Sequence, residues 1–180
     1  MLNLLKAAAI ISATKDVRYY LNGVHIFRND EGIIWLEASD GHTAMRTPVM
    51  PEYIKSTTQE PFDIIVPIEV VKMITKNLDQ VVLDIDDLCF SDSIKFKPID
   101  GRYPNMERVF NINQMSRNKP SEEFGLSAEL VIQVMKAVSF VADKGSKDAK
   151  WPALWQVKAN NEPVLIKTNG VKFVVMPVRI

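Results

Sequence analysis

The sequence has few of the residues from which disulfides, metal sites and most enzyme active sites are built. It contains one cysteine, Cys89, and two histidines among 180 residues. A single cysteine cannot form an internal disulfide, and its apolar, strand-like surroundings predict a buried, unreactive thiol. The sequence has no nucleophile elbow, phosphate-binding loop or cysteine–histidine cluster. We therefore expect a cytoplasmic protein that holds no metal and no other cofactor.

Long apolar runs are also absent, since no run approaches the ~18 residues that a membrane-spanning helix needs. The first ten residues are largely apolar, but no basic segment precedes them and Lys6 interrupts the run. This pattern favours a helix over a signal peptide. Hydrophobic residues make up 47% of the chain and charged residues 24%, which is typical of a globular fold with a sizeable core.

An excess of charge of one sign is missing as well, because 22 basic residues balance 22 acidic ones. The balance hides an asymmetry, since residues 111–180 carry ten basic against six acidic residues and residues 1–110 carry twelve against sixteen. A basic C-terminal part is compatible with a surface that faces nucleic acid. An ordinary solvated surface explains the charge equally well, so both interpretations remain open.

The hydrophobic spacing predicts a helix at residues 2–13, followed by β-rich runs. Strands are predicted at residues 17–27, 33–38 and 44–49, and Asn29-Asp30-Glu31-Gly32 is typical of a hairpin turn between the first two. These elements form a first unit of one helix and three strands.

A second unit follows an exposed connector at residues 51–61. It has a predicted strand at residues 62–66 and a helix at residues 68–78, whose start is favoured by Pro67. Three short strands complete this unit, at residues 81–85, 88–90 and 94–96.

The C-terminal part of the chain repeats the second unit. Val66-Pro67-Ile68-Glu69-Val70-Val71 aligns with Leu126-Ser127-Ala128-Glu129-Leu130-Val131, and Ile94-Lys95-Phe96 aligns with Val171-Lys172-Phe173. The offset between the copies grows from 60 to 77 residues, so we expect an insertion near residues 142–152. Two matches in the same order predict a repeated helix-plus-strands unit, present three times.

Four segments of the chain form more specific motifs than the repeat. They are Lys15-Asp16-Val17-Arg18-Tyr19-Tyr20-Leu21-Asn22-Gly23, Ala38-Ser39-Asp40-Gly41-His42, Asp100-Gly101-Arg102-Tyr103-Pro104 and Val174-Val175-Met176-Pro177-Val178-Arg179-Ile180. In the same order along the chain, these segments resemble the beta subunit of bacterial DNA polymerase III, the DNA sliding clamp. That family has an Arg-Tyr-Tyr-Leu-Asn-Gly motif and an Ala-Thr-Asp-Gly-His-Arg-Leu turn in its middle domain, and a similar C-terminal end.

The resemblance covers nearly the whole chain but only three of the six units of a clamp subunit. Residues 1–110 resemble the complete middle domain with two units, residues 111–122 are a polar linker or loop, and residues 123–180 resemble the second half of the last domain. A shortened clamp subunit is therefore expected. The implied fold is α+β and DNA-clamp-like, built of repeated helix-plus-β-strand units with the helices on one face of antiparallel sheets.

The resemblance implies a pocket that binds peptide tails of replication proteins. In the family, polymerases, the clamp loader and repair proteins insert a Gln-Leu-x-Leu-Phe-like tail between the middle and last domains. Apolar side chains suit the leucine and phenylalanine anchors, and a methionine adapts to varied guests. By position, the implied pocket residues are Leu21, Ser39, Gly41, His42, Pro104, Arg108, Val109, Val174, Val175, Met176, Pro177, Val178 and Arg179.

Two residues beside the implied pocket depart from the family pattern. Thr43 and Ala44 stand where the family usually has arginine and leucine. The smaller Ala44 is expected to widen the slot, and the missing arginine removes a hydrogen-bond donor. The peptide preference is therefore expected to differ. The alternative interpretation is that the apolar C-terminal strand belongs only to the core.

The family resemblance also implies that the helices face DNA. Clamp rings present basic helix surfaces to DNA phosphates, and such contacts need no sequence preference. The implied DNA-facing residues are Lys6, Lys72, Lys76 and Lys136. In the alternative interpretation these lysines lie on solvated helix faces beside Glu69 and Asp79.

Three hypotheses follow for the function. The first is a processivity clamp, in which four chains of three units form a homo-oligomeric ring of twelve units around double-stranded DNA. The second is a non-ring mimic or decoy, of phage or mobile-element origin, that competes for clamp-binding partners. The third is an enzyme that uses Asp40 and His42 as an acid–base or metal-binding pair, although we expect no catalysis because such a turn also satisfies its own backbone.

Overall fold

Helices cover one face of a seven-stranded sheet in the computed structural model of the chain. The structure describes residues 1–110, 125–143, 153–156 and 162–178. The first unit consists of α1 (Leu2–Ile11), β1 (Gly23–Arg28), β2 (Ile34–Ser39) and β3 (Thr43–Pro48). The second unit consists of β4 (Ile54–Lys55), β5 (Phe62–Pro67), α2 (Ile68–Asn77), β6 (Leu83–Asp84), β7 (Cys89–Phe90) and β8 (Ile94–Lys95).

A short helix, α3 (Glu107–Phe110), precedes the third unit. The third unit consists of α4 (Ala128–Val141), β9 (Leu154–Gln156), β10 (Val164–Thr168) and β11 (Val171–Val175). Each of the three units therefore has a helix followed by three strands, and the repeat predicted from the sequence is confirmed.

The seven-stranded sheet joins the first and third units and also includes β5 of the second unit. Its strand order is β5-β1-β2-β3-β11-β10-β9, and every pair in it is antiparallel. At the junction Thr43 pairs with Val175 and Arg46 pairs with Lys172. The second sheet, β4-β6-β7-β8, contains one parallel pair, β4 with β6. The structure shows an α+β fold with helices packed on antiparallel sheets, as expected.

Residues alternate along the strands of the seven-stranded sheet between the helix side and the outer face. Val24, Leu36, Met45 and Phe173 face the helices and belong to the main core. Because successive side chains of a strand point to opposite faces, their neighbours lie on the outer face of the sheet. Residues 99–110, here called the outer strap, cross that outer face and close a second apolar cluster.

Helix α1 is apolar on most of its surface because it has neighbours on several sides. It contacts α2, α4 and the strands of the first unit. Leu5, Ala7, Ala8 and Ile11 are buried in these contacts. A helix with apolar residues all round is stable only when it is enclosed in this way. The helix ends at Ser12, which is extended and whose hydroxyl donates to the carbonyl of Gly23.

The strand predicted at residues 17–27 is wrong in its first half. The chain forms a loop there, with a single 3-10 turn at Tyr19–Leu21, and β1 begins only at Gly23. Asn22 causes the difference, because its side chain accepts from the main-chain N–H of Asp16 and donates to the Asp16 carbonyl, both at 2.9 Å. Side-chain bonds of this kind compete with pairing in a sheet.

The other described elements agree closely with the sequence patterns, except that the connector predicted at residues 51–61 contains β4, which pairs with β6. The predicted helices at residues 2–13 and 68–78 are shorter by one or two residues at their C-terminal ends. Cys89 is buried, as predicted. The linker at residues 111–122 and most of the expected insertion lie outside the described residues. In the described part of the chain no helix has both the length and the apolarity to cross a membrane.

The junction between β3 and β11 can be tested by truncating Phe173. Phe173 is fully buried and opposes Met45 across the junction. We expect Phe173→Ala to lower the free energy of unfolding by about 3–5 kcal/mol, because it leaves a cavity between the sheet and the helices. The measurement is urea unfolding followed by circular dichroism and tryptophan fluorescence.

Lys167→Ala is the control, since Lys167 is exposed on the neighbouring strand and its loss is expected to change stability by less than about 0.5 kcal/mol. Both probes are expected to report one shared transition. Two separate transitions, of which only the later one shifts in Phe173→Ala, would show that the first and third units do not fold together.

Candidate peptide-binding site

The end of β11 lies beside the turn between β2 and β3. The main-chain N–H of Met176 donates to the carbonyl of His42 at 2.9 Å, and Val174 pairs with Ala44. These two segments are more than 130 positions apart in the sequence, and the sheet brings them into contact. Both segments contain residues that the sequence analysis assigned to a peptide pocket.

The turn at Asp40-Gly41-His42 is held by its own side chains. One carboxylate oxygen of Asp40 accepts from the main-chain N–H groups of His42 at 2.8 Å and Thr43 at 2.7 Å. The Ser39 hydroxyl donates to the Thr43 carbonyl at 2.8 Å and accepts from the Gly41 N–H at 3.0 Å. These contacts give Asp40 and Ser39 a structural role, as expected of a turn that satisfies its own backbone.

Two further side chains attach this turn to the rest of the protein. Gln133 of α4 donates to the other carboxylate oxygen of Asp40 and to the carbonyl of Ile10, both at 2.9 Å. The Arg18 guanidinium donates to the Asp40 carbonyl at 3.2 Å and to Asp16 at 2.6 Å. Hydrogen bonds from Arg18 lower the pKa of the Asp16 carboxyl to about 2. The sequence analysis missed Gln133, because nothing local to α4 indicates a partner in the first unit.

Some of the predicted pocket residues form a closed apolar floor. Leu21 is 2% exposed and Val174 is 1% exposed, and both belong to the cluster beneath the outer strap. Val109 of α3 packs at the edge of this cluster. Ala44 lies within it, next to Val174. The cluster also contains residues that the sequence analysis did not name: Ala13, Ile65, Tyr103, Met106, Phe110 and Leu165.

Other predicted residues remain accessible around this floor. Met176 is 37% exposed and Val178 is 41% exposed, although both side chains are apolar. Gly41, His42, Pro104 and Arg108 are exposed, and Pro177 is half-buried. Arg179 lies outside the described residues.

Val175 does not share this surface. It is fully buried in the main core on the helix side, because it follows Val174 on the strand and therefore points to the opposite face. In this structure its side chain contributes to stability rather than to the outer surface. The pocket predicted from the sequence includes Val175 because residues 174–179 match the family motif as one segment, and the motif alone does not show the alternation of a strand.

The four lysines predicted to face DNA all lie on the helices. Lys72 and Lys76 are exposed on α2, Lys136 is exposed on α4, and Lys6 is half-buried on α1. Lys72 pairs with the Glu69 carboxylate at 3.4 Å across one turn of helix. The helix side of the protein therefore carries dispersed positive charge, partly balanced by acidic residues.

One cluster has the residue types of a metal site. Ligand atoms of Asp84, Cys89 and Asp92 lie within 4.8 Å of one another. The ammonium of Lys55 lies 2.6 Å from the Asp84 carboxylate and 3.6 Å from that of Asp92. Hydrogen bonding to Asp84 raises the pKa of Lys55, and the same bond lowers the pKa of Asp84. A protein cation thus occupies the position where a metal ion would balance these carboxylates.

The tightness of the turn can be tested with a pair of glycine substitutions. Gly41 has a φ of +91°, and an added Cβ would lie 2.6–3.0 Å from the Arg18 guanidinium. Gly32 has a φ of +79° and no atom within 4 Å of an added Cβ. We expect each change to alanine to cost roughly 1–2 kcal/mol of backbone strain, measured by urea unfolding.

Gly41→Ala is expected to lower stability more than Gly32→Ala, because it also displaces Arg18 from Asp16 and from the Asp40 carbonyl. In a protein that already carries Arg18→Ala, Gly41→Ala is expected to cost no more stability than Gly32→Ala. Equal losses of stability in Gly41→Ala and Gly32→Ala would contradict the proposed packing of Arg18 against the turn.

No protein-family model and no curated protein matches this sequence significantly. Solved structures do match its fold. A sliding clamp of Pseudomonas aeruginosa superposes with a TM-score of 0.73 at 16% identity, covering 99% of this chain and 64% of the clamp chain. A beta clamp of Helicobacter pylori, solved with a DNA ligase peptide bound, gives a TM-score of 0.72 at 13% identity, covering 99% and 63%.

A sliding clamp of Caulobacter crescentus gives a TM-score of 0.67 at 18% identity, covering 99% of this chain and 63% of the clamp chain. At these identities the comparison concerns the fold. This chain spans less than two thirds of the length of the clamps it matches. It has the fold of the bacterial DNA polymerase III beta subunit, the DNA sliding clamp, as its sequence motifs predicted.

Proposed function

We propose that this protein is a clamp-like replication protein that binds peptide motifs of polymerases and related factors. The observation that carries the proposal is the contact between the Met176 end of β11 and the His42 turn. It joins two of the sequence segments that resemble the clamp family into one surface. The Helicobacter pylori clamp, which shares this fold, was solved with a DNA ligase peptide.

The chemistry of this surface suits an apolar peptide anchor. Exposed Met176 and Val178 offer apolar area above a floor formed by Leu21 and Val174. A methionine side chain adapts to guests of different shapes, which a surface with several partners requires. Arg108 is exposed at the edge, where a cation attracts a carboxylate of the guest. A Gln-Leu-x-Leu-Phe-like peptide fits this combination.

We further propose that the helix side faces double-stranded DNA in a ring of four copies. Lys72, Lys76 and Lys136 are exposed there, and contacts to phosphates need only a loose positive field. A clamp ring has twelve helix-plus-strands units, and this chain supplies three. The alternative is a non-ring mimic that keeps the peptide surface and competes for clamp-binding partners. The length of this chain, which is smaller than that of its structural matches, is compatible with this alternative.

Peptide binding is tested by fluorescence anisotropy with a labelled Gln-Leu-Ala-Leu-Phe peptide. We expect Met176→Asp to weaken binding at least about tenfold, because it places a charge where an apolar anchor is buried. Met50→Asp is the matched control, since Met50 is 58% exposed but lies after β3, away from the His42 turn. It is expected to change affinity by less than about twofold.

A peptide that does not bind the unmodified protein, or that binds Met176→Asp and Met50→Asp equally well, would refute the proposed site. Circular dichroism spectra of both variants are expected to match that of the unmodified protein, because both positions are exposed. A loss of binding can then be assigned to the surface itself.

Ring formation is tested by light scattering and by retention on DNA. Four chains of 20.4 kDa give an expected mass of about 82 kDa (4 × 20.4). The protein is expected to stay on nicked circular DNA and to leave it when the circle is cut, because the hold is topological. The double change Lys72→Glu with Lys76→Glu is expected to reduce loading onto DNA. The double change Lys95→Glu with Lys97→Glu reverses the same amount of charge outside the helices and is expected to have little effect.

The two hypotheses predict different results in these measurements. A monomer at roughly tens of micromolar protein, with or without DNA, would contradict the ring. A monomer that still binds the peptide through Met176 would support the mimic. Equal retention on circular and linear DNA would show that any DNA binding is not topological.

A further inference from the structure

The outer face of the sheet carries an open cavity of about 840 Å³ next to the first half of the outer strap. Strands β1, β2 and β3 form its floor, and residues 102–107 of the strap form one wall. Of the residues predicted for the peptide pocket, only Pro104 lines it among those the structure describes. The cavity is therefore a separate feature from the surface around Met176.

Polar residues form the floor of this cavity, although they lie in the middle of a sheet. The His25 ring is stacked between Phe27 and Tyr103, with both ring centroids at 4.6 Å. Its Nδ1 lies 3.1 Å from Glu37 and its Nε2 lies 2.9 Å from Asp63. Both ring nitrogens of His25 therefore face a carboxylate oxygen.

Arg46 continues this row of charges on the next strand. Its Nε lies 3.3 Å from Glu37, an ion pair without the alignment of a hydrogen bond, and its guanidinium lies 4.2 Å above the Trp35 ring. Asp63, His25, Glu37 and Arg46 thus form one row of contacts across the floor. The carboxylates at the rim do not take part in this row.

The rim of the cavity is acidic. Asp30, Glu31 and Glu107 line it and are exposed, and none of them is in an ion pair with another residue that the structure describes. Arg102 is the one exposed cation among the described lining residues. A rim with three carboxylates and one guanidinium attracts a cationic ligand.

Two donors that line the cavity lack an acceptor. The Tyr103 hydroxyl and the Trp35 Nε1 are both buried and make no hydrogen bond with the described part of the chain. Tyr103 is only 6% exposed, and the Ser39 main chain lies near its hydroxyl but outside hydrogen-bonding geometry. Burial, with a smaller contribution from Glu37, raises the pKa of Tyr103, so the phenol keeps its proton and remains a donor. Buried donors without acceptors are costly, and a ligand oxygen would satisfy them once the side chains that cover them move aside.

We propose that this cavity binds a basic peptide segment of a partner protein, with an arginine or lysine side chain at Glu31 and Glu107 and main-chain carbonyls near Trp35 and Tyr103. The carboxylates of the acidic rim attract the cationic side chain of the peptide. The unpaired donors of Trp35 and Tyr103 bind its main-chain carbonyls. Such a peptide differs in chemistry from the apolar tail proposed for the Met176 surface. The protein then holds a partner at two positions on the same outer face.

The proposal is tested by fluorescence anisotropy with a labelled, terminally blocked Ala-Arg-Ala-Arg-Ala peptide. The same peptide with citrulline in place of arginine is the neutral comparison. We expect the arginine peptide to bind at least about tenfold more tightly, because only it carries the charge that the rim recognises. The indole ¹H–¹⁵N signal of Trp35, assigned by Trp35→Phe, is expected to shift on binding.

Glu31→Gln with Glu107→Gln is expected to weaken binding roughly three- to tenfold, as for the loss of two exposed charge contacts. Glu69→Gln with Glu129→Gln removes the same charge from the helices and is the matched control, expected to change affinity by less than about twofold. Met176→Asp is expected to leave the affinity for the arginine peptide unchanged. This last result separates the proposal from the function proposed for the Met176 surface.

Three outcomes would overturn the proposal. The citrulline peptide binds as tightly as the arginine peptide, the two double variants weaken binding equally, or the Trp35 indole signal does not move at saturating peptide. All the substituted glutamates are exposed, so the variants are expected to fold as the unmodified protein does.

Discussion

The pairing of β3 with β11 is the interaction on which the rest of the structure depends. It joins strands from opposite ends of the chain into one seven-stranded sheet and places α4 against α1. The register fixes which side chains face which way, so that Phe173 enters the main core and Val174 the outer cluster. A slip of one residue would exchange these two faces and bury the charge of Lys172 under the helices.

The two faces of this sheet differ in the residues that they carry. The helix face is largely apolar, because three helices and the sheet enclose it, and threonines such as Thr43 and Thr47 are its buried polar residues. The outer face is divided between an apolar cluster near Val174 and a row of charged residues that runs from His25 across Glu37 to Arg46. The outer strap lies over both parts, with Tyr103 packed against His25 and Phe110 within the apolar cluster. One short segment therefore shapes both of the surfaces to which we assign partners.

The sequence predicted most of the fold, and the reasons for its failures are physical. Periodicity located α1, α2 and the hairpin of β1 with β2, because these elements are set by local spacing. It failed at residues 17–22, where a side chain of Asn22 replaces the pairing of a strand. It also could not show that β3 neighbours β11, since pairing between distant strands has no local signal. The family resemblance supplied the proximity of the two segments, but not their register.

The same limit applies to the candidate sites. The motifs assigned Met176 and the His42 turn to one surface, and the structure places a main-chain hydrogen bond between them. They also assigned Val175 to that surface, whereas strand alternation directs its side chain into the main core. Gln133 and the charged row on the outer face were missed, because each of their contacts crosses between elements. A histidine, a glutamate and an arginine at outward positions of successive predicted strands were the available signal for that row.

The most direct test of the account is the solution NMR structure of the β3–β11 junction. We expect cross-strand backbone NOEs that pair Thr43 with Val175, Ala44 with Val174 and Arg46 with Lys172, together with slow exchange of the Met176 amide bound to His42. Pairing of β11 with another strand, a register shifted by one residue, or rapid exchange of that amide would contradict the account.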